Sequence, residues 1–97
     1  MIAGLIEHMI KQNITIINKL GLHARAASKL VNCASQFESR VLISRMDHQV
    51  DAKSIMSVMM LAASKGVELE LKIEGADEHN CRDAIVALIA NRFDEGE

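Results

Sequence analysis

Val67, Leu69, Leu71 and Ile73 alternate without a break with Glu68, Glu70, Lys72 and Glu74. Successive side chains of a strand point to opposite faces, so this segment reads as a strand with one apolar face and one wet face. A strand buried on both sides, as in a parallel sheet between helical layers, would read as one continuous apolar run. The alternation therefore predicts an antiparallel sheet with helices packed on one side only. A doubly wound α/β fold does not fit it.

The rest of the chain can be read around that strand. Gln12 to Ile17 forms a strand with Ile14 and Ile16 on one face, and Asn18-Lys19-Leu20-Gly21 is a loop. From Ala24 the period becomes helical: Ala27, Leu30, Val31, Ala34 and Phe37 fall on one stripe, and the helix ends near Phe37. Arg40 to Arg45 and His48 to Asp51 are strands about a tight turn at Met46-Asp47. Ser54 opens a second helix with Val58, Leu61 and Ala62 on its inner side. Ser64-Lys65-Gly66 closes it, with Gly66 as a left-handed C-cap. Gly75 ends the alternating strand. Asp77 is a good N-cap for a last helix whose apolar face is Cys81, Ala84, Ile85, Leu88 and Ile89.

The order is thus β-α-β-β-α-β-α, an α+β open-faced sandwich. Residues 1–9 read as an N-terminal extension and residues 10–93 as one domain. Asp94-Glu95-Gly96-Glu97 reads as a frayed, solvated acidic tail.

Composition narrows the function. At 97 residues the chain is one domain with one modest core. Its net charge of −2 gives no basic field to draw it to nucleic acid or anionic lipid. Phe37 and Phe93 are the only aromatic residues, too few for a base-stacking platform. No apolar run approaches the roughly eighteen residues of a membrane span, and the first residues lack a basic signal-peptide start. Cytoplasmic residence is expected, with Cys33 and Cys81 reduced on apolar helix faces. His8, His48 and His79 share no metal-ligand spacing with Cys or carboxylates, and there is no glycine-rich phosphate cradle. Neither a metal nor a cofactor is expected.

The chemistry concentrates at Gly21-Leu22-His23-Ala24-Arg25, where the loop enters the first helix. The backbone N–H groups of a helix start lack intrahelical partners and favour anions. An imidazole is nucleophilic only when neutral, and its unperturbed pKa is about 6.5. The helix end disfavours the cation, so His23 is expected to be neutral near pH 7 and to be stabilised once it carries a phosphoryl group. The N–H groups of Ala24 and Arg25 would face that group. Arg25 breaks the dipole preference by placing a cation in the first turn, which points to a clamp on phosphoryl oxygens. Position alone is equally compatible with a solvent-facing histidine of no role.

Ser54 is a preferred N-cap residue. A phosphate on its hydroxyl would be tolerated by the helix dipole and would act by adding charge to the surface around it. That surface carries Ile55, Met56, Val58, Met59, Met60 and Leu61, more apolar residues than one core-facing stripe can bury. Ile55 and Met59 are expected to be an exposed pair. Met-rich patches adapt to more than one partner.

The stretch Leu20-Gly21-Leu22-His23-Ala24-Arg25 resembles the active-site motif of HPr, the histidine phosphocarrier family of the bacterial phosphoenolpyruvate-dependent phosphotransferase system. Lys53-Ser54-Ile55-Met56-Ser57-Val58-Met59 resembles a second signature of the same family, at the expected interval. The resemblance covers about Ile10 to Phe93. It implies a four-stranded antiparallel sheet covered on one face by three helices, with the last strand beside the first. It implies that His23 is phosphorylated on Nδ1 by enzyme I and passes the group to an EIIA-type domain. It also implies that Ser54 matches the serine modified by HPr kinase/phosphorylase, and that Ile55, Met56 and Met59 match the docking patch. A monomer without turnover of its own is expected.

The chain departs from the family pattern at two places. Ala26 stands where most members have proline, which should loosen the helix start, and Ser57 replaces a common glycine. Two other destinations compete with sugar uptake: a regulatory relay using the same chemistry, and a pure interaction module with a vestigial His23. The presence of both His23 and Arg25 argues against the module.

Overall fold

The structure is a computed structural model that describes residues 9–97. The elements, in chain order, are β1 (Met9–Thr15), α1 (Ala24–Ser35), β2 (Arg40–Arg45), β3 (His48–Asp51), α2 (Ile55–Met59), β4 (Glu68–Glu74) and α3 (Glu78–Ala90), followed by a single 3₁₀ turn at Arg92–Asp94. The order β-α-β-β-α-β-α is the one expected. Residues 1–8 of the expected extension lie outside the described residues.

The four strands form one sheet in the order β1-β4-β2-β3, and every neighbouring pair is antiparallel. The alternating strand is central: β4 pairs Leu71 with Gln12 of β1 on one side and with Ile43 of β2 on the other. Its Leu69, Leu71 and Ile73 are buried, while Glu68 and Glu74 are exposed. The alternation works as expected because only one face of the sheet is covered. The three helices lie on that face, and the core between the layers joins Ile14, Ile16, Val41 and Ile43 to Leu30, Ala34, Cys81, Ile85 and Phe93. Both cysteines are free, Cys81 buried and Cys33 half-buried. Burial pushes both thiols up, Cys81 to about 11, so neither is a thiolate at neutral pH.

Three boundaries differ from expectation. β1 begins at Met9 rather than Gln12 and ends at Thr15, although Ile16 still donates to the Val67 carbonyl at 3.0 Å. α2 stops at Met59 and does not run on to Gly66. The N–H groups of Leu61 and Ala62 donate three residues back, to Val58 and Met59, and Ala62 turns left-handed at φ 50°. Beyond the C-cap Met60, Arg45 Nη1 donates to the carbonyls of Leu61 and Ala62, each at 3.0 Å. This long-range arginine contact holds the turn that follows α2, and local pattern could not reveal it. Gly66 is left-handed at φ 93°, but it sits in the turn entering β4, where its N–H donates to Ile16 at 2.7 Å.

Asp77 does occupy the N-cap position of α3, yet its side chain makes no cap hydrogen bond there. Its carboxylate reaches across to the loop before β2. It accepts from the Glu38 N–H at 2.9 Å, the Ser39 N–H at 3.0 Å and the Ser39 hydroxyl. Ser39 is fully buried, so its polar atoms need partners inside the protein.

Candidate functional site

His23 is the N-cap residue of α1, with extended backbone at φ −70° and ψ 177°. The loop before it is fixed by backbone contact. Leu22 donates to the Ala63 carbonyl at 2.8 Å, and Gly21 is left-handed at φ 71°. A β-carbon at Gly21 would meet the Ala63 oxygen at 2.6 Å and the Ser64 α-carbon at 2.8 Å. Only glycine allows that approach, and the approach aims the next two residues at the start of α1. The first turn of α1 holds no acidic residue, so its N–H groups meet no anion from their own helix.

The imidazole is part-exposed, with 28% of its side-chain surface open. Its Nδ1 accepts from the Arg25 N–H at 3.3 Å. Its Nε2 lies 2.5 Å from Oε2 of Glu95. Glu95 was expected in a solvated tail. Instead its side chain is only 12% exposed, and its Oε1 accepts from Asn18 Nδ2 at 3.0 Å. Burial pushes the Glu95 carboxyl up, but hydrogen bonds from Asn18 and His23, with the charges of His23 and Arg25, outweigh it and hold the group below its ordinary value. The tail is anchored by Phe93, which is fully buried, and by Lys29, whose ammonium donates to the Phe93 carbonyl at 2.8 Å. The chain reverses there through left-handed Arg92, Phe93 and Asp94.

The tail and the helix start bound a cleft of about 490 Å³, with Lys19, Arg25 and Lys29 facing Asp94, Glu95 and Glu97 across it. The expected pair His23 and Arg25 is therefore brought together as the spacing required. Glu95 and Asn18 were missed. No periodicity or spacing rule joins a loop at position 18 to a tail at position 95, and only the buried Phe93, one of two aromatic residues, hinted that the tail has an anchor.

Ser54 caps α2, accepting the Ser57 N–H at 3.4 Å. The apolar patch is exposed as expected, but its centre shifts by one residue. Ile55 and Met59 are 38% and 39% open, whereas Met56 and Met60 are 70% and 69% open. Val58 and Leu61 take the core-facing stripe. Ala26, in the first turn of α1, is fully buried. Among the described residues, no three His, Cys, Asp or Glu side chains converge as a metal site, and no helix is long and apolar enough to cross a membrane.

A small antiparallel sheet under three helices, with a histidine capping the first of them, defines the class of open-faced sandwiches that present one imidazole at a helix mouth. Residues 10–91 match the family model described as the PTS HPr component phosphorylation site. The phosphocarrier protein HPr of Cupriavidus necator is 58% identical over 89 residues, which cover 92% of this chain and all of that protein. Among solved structures, HPr-C-His from Thermoanaerobacter tengcongensis aligns with a TM-score of 0.86 at 42% identity, covering 89% of this chain and 97% of that one. An HPr dimer from the same organism aligns with a TM-score of 0.71 at 44% identity, covering 82% and 92% of the two chains. The chain belongs to the HPr family of phosphocarrier proteins.

Proposed function

We propose that Nδ1 of His23 accepts a phosphoryl group from phosphorylated enzyme I, which is charged by phosphoenolpyruvate, and delivers it to an EIIA-type domain. The observation that carries this reading is the placement of His23. Its ring caps a twelve-residue helix, with Nδ1 accepting from the Arg25 N–H of the first turn. A phosphoryl group on Nδ1 would lie against the N–H groups of Ala24 and Arg25, where the helix end favours negative charge by about 0.3–1 kcal/mol at an exposed site. That is weak enough for the group to be handed on. The Arg25 guanidinium would brace the equatorial oxygens during in-line transfer. The protein is a co-substrate in this scheme: one partner loads it and another unloads it.

Ile55, Met56 and Met59 would dock both partners, and Met56 is the most open of the three. Ser54 would be the site of HPr kinase/phosphorylase, its added charge falling beside that patch. The domain, with residues 94–97 folded back onto its His23 end, would act as a monomer in the cytoplasm and be coupled to sugar uptake. A dimer is on record for a relative, so sedimentation at working concentration tests the monomer.

The central test is acid-labile labelling from phosphoenolpyruvate and enzyme I. The wild-type protein should take up label and His23→Ala should take up none. Undiminished labelling of His23→Ala overturns the assignment.

A further inference from the structure

We infer that Glu95 is a positioning residue for His23, holding the ring proton on Nε2 so that Nδ1 keeps its lone pair, with Asn18 holding Glu95 in place. This rests on the reading of His23 as the phosphoryl acceptor. The two neighbours of the ring allow one arrangement of protons. The Arg25 N–H can only donate, so Nδ1 must present a lone pair to it. An ionised carboxylate can only accept, so Nε2 must carry the hydrogen that faces Oε2 at 2.5 Å. The tautomer so fixed is the one whose Nδ1 can attack phosphorus.

The support behind Glu95 is built. Asn18 is fully buried, and its Nδ2 spans from the Gly21 carbonyl at 2.8 Å to Glu95 Oε1 at 3.0 Å. Its Oδ1 finds no partner among the described residues. Turning the amide over would set that oxygen against two acceptors, so the orientation is dictated by Glu95 and Gly21. The backbone also departs from its preferred regions to bring the carboxylate here, with Arg92, Phe93 and Asp94 at φ 56°, 53° and 64°. The other charges near the ring are Lys19, Arg25 and Lys29 and the carboxylates of Asp94 and Glu97.

The contact bears on transfer as follows. The Nδ1 lone pair forms the bond to phosphorus while the bond from phosphorus to the donor atom breaks, and the donor keeps that electron pair. The His23 ring gains positive charge and retains its proton on Nε2, where the Glu95 carboxylate compensates it. In the reverse sense the same carboxylate favours the charged ring, from which the phosphoryl group departs more readily.

The experiment uses the full chain, comparing wild type with Glu95→Gln, Glu95→Ala and Glu95→Asp. Circular dichroism and thermal unfolding establish that the variants fold. The wild type should show a downfield, exchange-protected Nε2–H proton assigned to His23. That signal should weaken in Glu95→Gln, vanish in Glu95→Ala and partly return in Glu95→Asp. Loading by phosphorylated enzyme I should slow roughly tenfold in Glu95→Ala, the scale of a lost charge-assisted hydrogen bond. If wild type takes label while Glu95→Ala loads at the same rate or keeps the same Nε2–H signal, the positioning role is wrong and the carrier reading stands. If wild type takes no label on His23, the carrier reading fails and the positioning role falls with it.

Discussion

Asn18 and Glu95 are separated by 77 positions in the chain and by 3.0 Å in space. One amide group, Asn18 Nδ2, binds both the carbonyl of Gly21 in the loop before His23 and the carboxylate that meets the His23 ring. The entry loop and the C-terminal tail are thereby one unit, and the imidazole stands between them. Its geometry is set by long-range contacts as much as by the helix it caps.

Gly21 is the position where that unit is most exposed to a single substitution. Gly21→Ala forces a side chain onto left-handed backbone and into the main chain at Ala63 and Ser64. The conformational part alone costs about 1–3 kcal/mol, and relief of the clash displaces Leu22 and His23. The expected outcome is a lowered midpoint in urea unfolding together with altered His23 ring signals by NMR. A variant with parental stability and an unmoved ring would contradict the account of the loop.

Asp77 gives a pH prediction. The hydrogen bond from the Ser39 hydroxyl, with the Glu38 and Ser39 N–H groups, holds its carboxyl below the ordinary value. A carboxyl depressed in the folded state adds stability above its unfolded pKa, about 3.9, and loses it as pH falls through the lower folded value. Wild type should therefore be more stable than Asp77→Asn between pH 5 and 7, in round terms, with the gap closing below about pH 4. Denaturant titrations across that range check it; a gap constant with pH would show that ionisation of Asp77 contributes nothing.

Ser54→Asp keeps an N-cap acceptor on α2, so the fold should be unchanged by circular dichroism. The added charge lies next to the exposed methionines, and the dissociation constant for enzyme I should rise. The difference should shrink at high salt, since surface charges are screened beyond about 10 Å at 0.1 M. Equal affinities by calorimetry would remove the regulatory role proposed for Ser54.

Much of the architecture could be read in the sequence, because one-sided burial writes itself as alternation in β4 and as a single stripe in α1 and α3. His23 and Arg25 were legible for the same reason: a loop-to-helix junction is a local feature. What stayed hidden was non-local. Arg45 of β2 holds the turn after α2, Asp77 turns from its own helix to cap Ser39, and Phe93 pins a tail that carries too many acidic residues to read as structure. Each depends on a partner far along the chain, and no local period encodes that. The methionine patch was legible as excess apolar surface. Its most open members, Met56 and Met60, depended on where α2 stops.

The most direct measurement of the central claim is the site of the phosphoryl group itself. The ¹⁵N-labelled protein, charged with phosphoenolpyruvate and enzyme I, should show phosphorus coupled to a single ring nitrogen, Nδ1 of His23. Phosphorus on Nε2, or on His48 or His79, would contradict the account.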